Sequence, residues 1–394
     1  MISFDQALDR IYASTRPLGS ETIAVTAATG RVLAAPVIAQ IPSPRCDVSA
    51  MDGYAVRDAD LAILPARLRV IGESFAGGAK KAIGSGECIR IFTGAPVPDG
   101  ADRVVIQEEV RREDDVAIFE QGPGKARHIR GRAGDFDQGD ELLGTGRMLD
   151  KRAIVAAAAA DLAEIAVFKR VRVSILSTGD ELADPGIAAG RPEAIPESVS
   201  LGIAAMVTEW GAEVIDRRRL RDDLPLMEST AAAALAGSDL VVVTGGASVG
   251  EKDFAKRMFE PAGLELIFSK VSIKPGKPVW LGRCGSKWVM GLPGNPTSAL
   301  VSARLLLAPL IAGLSGQEPD RALPWRSAKL TTALNGCGPR ETFHRARWVG
   351  DQVEIIAFQD SSAQKALADA DLLVRQRANA PRVSMGEPVQ VLDF

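Results

Sequence analysis

The run Asp239-Leu240-Val241-Val242-Val243 leads directly into Thr244-Gly245-Gly246, and this junction constrains the fold more than any other part of the chain. A short, mostly β-branched apolar run bounded by glycines has the form of a strand buried on both faces, as in the middle of a parallel sheet. Parallel strands need crossover connections of a dozen or more residues, and the surrounding sequence supplies them. Over 169–317, the strand-like segments "VRVSILS" (171–177), "AEVIDRRRL" (212–220), "DLVVV" and "LELIFSKVSI" (264–273) alternate with helix-like segments near 197–210, 224–236 and 251–260. This alternation predicts a parallel sheet with helices on both faces. Ligands of such sheets bind beyond the carboxyl ends of the strands.

The rest of the chain has different textures. Residues 41–135 are rich in Gly and Pro and carry short alternating runs such as "CIRIFTG" (88–94) and "RVVIQEEV" (103–110), which reads as a small antiparallel β domain. On either side, residues 1–35 and "LDKRAIVAAAAADLAEI" (149–165) look helical, the second with Asp150 as N-cap, so the β domain looks inserted between helical pieces. From 318 to 394, "FHRARWV", "QVEIIAF" and "PVQVLDF" return to short strands, and a second small β domain closes the chain.

Bulk composition excludes several function classes. With 46% hydrophobic and 25% charged residues and a net charge of −3, the chain is expected to be a soluble globular protein with neither nucleic acid nor an anionic membrane as partner. Ser298 to Leu314 is strongly apolar but is interrupted by Arg304 and Pro309, so it reads as a buried helix. The N-terminus reads as an amphipathic helix and not as a signal peptide. Four scattered cysteines without a C-x-x-C pair fit a reducing cytoplasm, and two distant histidines argue against a His-rich metal site or a Ser-His-Asp triad.

The residues just beyond each strand point to the chemistry. After the first strand come Thr178, Gly179, Asp180 and Glu181; after the second, Asp222 and Asp223; after the third, Gly245, Gly246, Ser248, Gly250 and Asp253. Lys270, Lys274 and Lys277 lie beyond the fourth, and Pro293-Gly294-Asn295-Pro296 forms a rigid turn before a helix. Gly245 and Gly250 have the separation of a P-loop, but Glu251-Lys252 stands where Lys and Ser/Thr are needed, and G-x-G-x-x-G is absent. Each piece alone reads as a turn, a helix cap or a solvated lysine. Placed together after successive strands, carboxylates and lysines describe a site for an anionic ligand escorted by an oxygen-ligated divalent cation, with the glycine loop contributing backbone N–H groups.

Six stretches in register, "SAMDGYAV" (49–56), "IRIFTGAPVPDGAD" (89–102), "STGDEL" (177–182), "TGGASVGEKDF" (244–254), "IKPGKP" (273–278) and "GLPGNPTSA" (291–299), resemble the molybdopterin molybdenumtransferases, the MoeA and gephyrin E-domain family. The resemblance implies a multidomain α/β architecture: a helical connecting domain (1–40 plus 136–168), an inserted β domain (41–135), a molybdopterin-binding α/β domain (169–317) and a C-terminal β domain (318–394). It implies a cytoplasmic homodimer that inserts molybdate into adenylylated molybdopterin with Mg²⁺ or a similar cation, releasing AMP. The active cleft would join the α/β domain of one protomer to the inserted domain of the other. Transient contact with a molybdopterin adenylyltransferase and with recipient molybdoenzymes is also implied. By motif, the catalytic positions are Asp52, Thr93, Asp135, Glu181, Asp222, Asp253, Lys270 and Lys274, with Glu181, Asp222 and Asp253 holding the metal. Thr178, Gly179, Asp180, Gly245, Gly246, Ser248, Gly250, Lys277 and Pro293 to Pro296 would contact substrate. Glu197-Ser198-Val199 stands where the family usually has Asp-Ser-Asn, and Ala346 where it usually has Gly. Two other readings are a noncatalytic molybdopterin-binding or scaffolding protein and a molybdopterin adenylyltransferase. The first has no physical need for so many like charges; the second group usually consists of a single α/β domain.

Overall fold

In the computed structural model, which describes residues 1–122, 124–245 and 254–394, the four expected strands join one six-stranded sheet with two that the alternation did not reveal, Trp280–Cys284 and Lys287–Leu292. Its spatial order is Glu213–Leu220, Arg172–Thr178, Leu240–Thr244, Lys287–Leu292, Trp280–Cys284, Leu264–Phe268. The first four pair in parallel. Trp280–Cys284 runs antiparallel to both of its neighbours, so the sheet is mixed, with its one reversed strand among the two that the alternation did not reveal. The reason is local: Cys284 pairs with Lys287 across Gly285-Ser286, and Gly285 takes φ +59°, which a tight hairpin turn needs. Because two reversals cancel, Leu264–Phe268 again points the same way as the parallel strands. Its carboxyl end therefore remains on their edge.

Strand period two divides the core. Val173, Ile175, Leu240 and Val242 pack with the helix Val199–Glu209 on one face. Leu176, Val241 and Val243 pack on the other face with the helix Leu224–Gly237, whose N-cap Asp223 accepts the Leu226 N–H at 3.1 Å. The segment Pro296–Leu314 forms one continuous helical rod that is 94% buried, as expected of a core helix. Ala303–Leu307 is a π-turn within it, placed where Pro309 cannot donate an N–H to the preceding turn. Arg304, buried there, donates to the Asp393 carbonyl at 2.8 Å and the Ala322 carbonyl at 2.7 Å.

The regions around the insertion are less helical than the sequence suggests. Phe4–Ser14 is a helix with a capping box between Ser3 and Gln6, and it buries Phe4, Ala7, Leu8 and Ile11 in the α/β core. In the rest of 1–40 and 136–168 the described residues form one α-helix, Ala153–Ala159, together with short ladders pairing Ser20–Ala24 with Glu164–Phe168 and Val37–Ile38 with Glu141–Leu143. Asp150 does accept the N–H groups of Arg152 and Ala153, at 3.0 and 2.8 Å. The alanine run ends because Asp161 adopts φ +61°, after which Ile165 and Val167 alternate into the core opposite Ile23. Tertiary pairing overrides helix propensity at this point.

The inserted region holds a six-stranded sheet in the order Arg103–Ile106, Gly53–Val56, Glu87–Ile91, Ala66–Ser74, Val116–Phe119, Val110–Glu113. At the C-terminus, Glu341–Val349, Gln352–Ile355, Arg326–Leu330, Pro388–Asp393 and Leu372–Gln376 pair in sequence, and the last also pairs with the first, so the sheet closes on itself. Ile273–Lys274 is appended to it beside Glu341–Val349. Arg345 braces this barrel against the start of the buried helix: its guanidinium donates to Thr297 Oγ1 (3.2 Å) and to the carbonyls of Ala363 (3.1 Å), Phe358 (3.0 Å) and Asp360 (2.9 Å). Arg345→Met removes every one of these donors and leaves part-buried carbonyls without partners. We expect a loss of about 2–4 kcal/mol in urea unfolding, whereas an unchanged midpoint would show that water replaces the guanidinium.

Candidate functional site

Three strand ends meet at the carboxyl edge of the mixed sheet with almost no space between their backbones. Gly245, at φ +89°, lies so near Thr178 that a Cβ there would fall 2.4 Å from the Thr178 carbonyl oxygen. A Cβ on Gly294 would lie 3.3 Å from the Gly245 Cα. Thr178 Oγ1 donates to the Thr244 carbonyl at 3.3 Å, and Thr244 Oγ1 to Ser177 Oγ at 3.2 Å, so these strand ends are also cross-tied. Glycine is therefore required at 245 by sterics and by backbone conformation together.

Above this floor opens a cleft of about 790 Å³, a volume suited to a small organic ligand. Of the residues expected to act, Thr178, Gly179, Glu181, Asp222, Gly245, Pro293, Gly294, Asn295 and Pro296 all line it. The Glu181 carboxylate folds back over Gly179, where a Cβ would lie 2.7–2.9 Å from its atoms. Asp180 does not line the cleft; its carboxylate accepts the Asp222 N–H at 3.2 Å and ties the first loop to the second. Glu181 and Asp222 thus bring hard oxygen donors to one space, the donor type a Mg²⁺ ion takes. Among the described residues no group of three or more His, Cys, Asp and Glu is placed to hold a metal on its own. Asp253, the expected third carboxylate, lies outside the described residues, as do Gly246, Ser248 and Gly250.

Other expected residues are not brought to this cleft. Lys270 and Lys277 are exposed and outside its lining, although Pro278 belongs to it. Lys274 lines a second cavity, against the C-terminal barrel. Asp52, Thr93 and Asp135 belong to the inserted region. Asp135 is exposed, with its backbone N–H on the Ser43 carbonyl at 3.0 Å. Asp52 and Thr93 do form a unit: one Asp52 oxygen accepts both the Thr93 N–H at 2.7 Å and the Thr93 hydroxyl at 2.8 Å. These bonds, the backbone one first, hold the Asp52 carboxyl below its ordinary range, with Arg90 adding a smaller effect.

The cleft also contains groups that the strand-end reading missed. Glu197, buried in its wall, accepts the Ser200 N–H at 2.8 Å, the Ser177 hydroxyl at 3.2 Å and the Ser200 hydroxyl, and Arg217 stands 3.6 Å away. These partners make it a brace for the start of the helix Val199–Glu209. Ser362 and Gln364 reach the cleft from the C-terminal region, a placement for which the sequence carries no local signal. Val199, one of the two family departures, lines the cleft; Ala346, the other, is buried inside the barrel.

Two expected outcomes rest on these contacts. Gly245→Ala should lose about 2–4 kcal/mol in urea unfolding, since the new Cβ meets backbone that cannot rotate away; a neutral result would mean that the strand ends separate freely. Thr93→Val deletes the hydroxyl bond to Asp52 but keeps the backbone bond, so the Asp52 pKa should rise part of the way to the ordinary aspartate value in a ¹³C-carboxyl NMR titration. The sign is that of a depressed carboxylate: its stabilisation is present at neutral pH and is lost as pH falls through the folded-state value. The variant should lose less on acidification, and an unmoved Asp52 resonance would contradict the pairing.

Comparison with known proteins covers the chain from end to end. The MoeA N-terminal region (domain I and II) matches residues 2–160, the probable molybdopterin binding domain residues 174–313, and the MoeA C-terminal region (domain IV) residues 327–394. The molybdopterin molybdenumtransferase of Haemophilus influenzae is 35% identical over 404 residues, covering 100% of this chain and 99% of its own. Molybdopterin molybdenumtransferase 2 of Mycobacterium tuberculosis is also 35% identical, over 95% of both chains. Among solved structures, a molybdopterin biosynthesis MoeA protein from Pyrococcus horikoshii superposes with a TM-score of 0.82 at 29% identity, covering 100% of this chain and 99% of that one. With all three family regions present in order and full-length relatives above 30% identity, the chain belongs to the MoeA family.

Proposed function

We propose that this protein is a molybdopterin molybdenumtransferase of molybdenum cofactor biosynthesis, with adenylylated molybdopterin and molybdate as substrates and AMP and the molybdenum-loaded cofactor as products. The observation that carries the reading is the cleft at the carboxyl edge of the sheet, rimmed by Glu181 and Asp222, in a chain that three family models match in order over 2–160, 174–313 and 327–394. The bare backbone at Gly245 and Gly294 lets a flat or phosphorylated ligand approach closely, and the Pro293 to Pro296 turn fixes that edge. Glu181 and Asp222, with Asp253 as third carboxylate, would hold Mg²⁺, which when bound neutralises and polarises the phosphoanhydride oxygens. Lys270, Lys274 and Lys277 lie outside the cleft lining, and it is the motif resemblance alone that assigns their positive charge to the oxyanions of the two substrates. Gly246, Ser248 and Gly250 are assigned to the ligand on the same reading.

Asp52, Thr93 and Asp135 act in this scheme from a partner protomer, whose inserted region would complete the cleft of a homodimer. The expected four-domain division, with a connecting unit over 1–40 plus 136–168, belongs to the same proposal. So do cytoplasmic location and passing contacts with the adenylyltransferase that supplies the substrate and the enzymes that receive the product. The decisive test is AMP release from adenylylated molybdopterin by the purified protein. Release should require both molybdate and Mg²⁺, and Asp222→Ala should slow it at least about 100-fold. Tight pterin binding with no release under any condition would replace the transferase reading with that of a binding protein.

A further inference from the structure

Two hydroxyl groups belong to the strand ends that line the cleft, those of Thr178 and Thr244. A carboxylate buried behind them settles where each hydroxyl points its single proton. Glu197 Oε1 accepts the Ser200 N–H at 2.8 Å and lies 3.2 Å from Ser177 Oγ, and its other oxygen meets the Ser200 hydroxyl. A carboxylate oxygen that already takes a backbone N–H has nothing to donate, so the Ser177 proton lies on the line to Glu197. Only lone pairs then remain on Ser177 Oγ. Ser177 and Thr244 are register partners on neighbouring parallel strands, with their hydroxyl oxygens 3.2 Å apart. It is therefore Thr244 that gives its proton to Ser177. The Thr178 proton is committed as well, because the group 3.3 Å from its oxygen is the Thr244 carbonyl, which only accepts.

Strand period two builds this row. Ser177 shares a sheet face with Val173 and Ile175, and Thr244 shares it with Leu240 and Val242, the face covered by the helix Val199–Glu209 that Glu197 precedes. Arg217 closes the far end: it donates to Ser200 Oγ at 3.0 Å and stands 3.6 Å from Glu197, so the Ser200 proton too is left for the carboxylate. Glu197, Ser177 and Thr244 are all buried, and a row of hydroxyls that starts at a charge polarises each member in the same sense. Among the described residues nothing donates to Thr244 Oγ1. What this atom offers a ligand is a lone pair. Phosphate and molybdate oxygens also only accept, and to bind one here Thr244 would have to turn its proton away and leave the buried Ser177 oxygen unpaired.

We propose that Glu197 is a positioning residue which, through Ser177, holds Thr244 as a hydrogen-bond acceptor for an amino group carried on a flat ring of the substrate. The flat ring follows from place: Thr244 adjoins Gly245, where the backbone is bare and a planar group can come close. The amino group follows from proton order, since it donates and the fixed hydroxyl receives. Adenylylated molybdopterin carries such a group on each of its rings, the pterin and the adenine, and the chemistry at Thr244 is the same for both. The inference rests on the transferase reading for the identity of the ligand, whereas the order of protons along Glu197, Ser177 and Thr244 does not. On that reading the oxyanions of the substrates are left to the cation at the rim.

The readout is the preference for an amino group over a carbonyl at the same ring position, measured by calorimetry on the full-length protein with Mg²⁺ present. Pterin is compared with lumazine and AMP with IMP, two pairs in which the amino group of the ring is replaced by oxygen. The unaltered protein should bind the amino member of one pair about tenfold more tightly, and the pair that shows the preference identifies the ring. Thr244→Val should remove the preference by weakening the amino ligand. Ser177→Ala should reduce it by the opposite route: the freed Thr244 proton can meet a carbonyl, so the carbonyl ligand tightens while the amino ligand changes less than about twofold. Glu197→Gln, whose amide oxygen still accepts the Ser177 proton, should keep the preference. Thr244→Val and Ser177→Ala leave the Ser200 bonds of Glu197 in place and should unfold in urea as cooperatively as the unaltered protein. Absence of a preference in both pairs would overturn the proposal, as would equal weakening of all four ligands by Ser177→Ala, the mark of a merely structural role. Absence of AMP release from the unaltered protein, with the preference and its response to Ser177→Ala intact, would remove the transferase reading and leave the proton order standing.

Discussion

The near-contact of backbone at Thr178, Gly245 and Gly294 is the constraint on which the functional architecture depends. Parallel neighbours bring the ends of Arg172–Thr178 and Leu240–Thr244 to the same level, and the 291–296 turn lies directly beside them. With no side chain at 245 or 294, much of the cleft floor is polar peptide backbone. Charged side chains must then come from the rim. Glu181 and Asp222 stand there because each follows a strand end by two or three residues, and Asp180 fixes their relation by accepting the Asp222 N–H. Glu197 performs the corresponding role in the wall, where its hydrogen bonds keep a buried carboxylate satisfied.

A second constraint joins the sheet to the C-terminal barrel. The helix Pro296–Leu314 starts at the cleft and runs through the largest apolar cluster, which also takes in Phe4 and Ile11 from the N-terminal helix and Phe343, Leu373 and Leu392 from the barrel. Arg345 crosses the same junction by hydrogen bonds to both sides. This is why Ser362 and Gln364, far along the chain, become part of the cleft. A shift of barrel against sheet would reshape the cleft wall without disturbing its backbone floor.

Legibility in the sequence followed the range of the interactions. The alternation over 169–317 was readable because each of its four strands is long enough to show its pattern, and pattern alone located Thr178, Glu181, Asp222 and Gly245 at one edge; 293–296 read only as a rigid turn before a helix, because the strand Lys287–Leu292 that leads into it was not recognised. The Trp280–Cys284 reversal was not readable. Its residues are mostly buried, like those of a central parallel strand, and a two-residue turn at Gly285 is its one local mark. The Ala153–Ala159 region misled in the opposite sense, since alanine propensity extends beyond the helix that tertiary pairing permits. Asp52 and Thr93 read locally as turn residues; motif resemblance singled them out, and the hydrogen bonds between them span 41 positions of sequence.

The character of the cleft rim carries the final step. The chain has nearly equal numbers of basic and acidic residues, 47 and 50, enough to pair most charges locally, and many surface groups do pair, as Arg347 with Glu354 and Arg326 with Asp393. Such exposed pairs contribute little to stability. A fold optimised for stability alone would nevertheless have no reason to gather carboxylates at a cleft. Glu181 and Asp222 present carboxylate oxygens to one space, and these are the donors a hard cation takes. On the transferase reading, a cation held by that rim lets anionic oxygens settle on it.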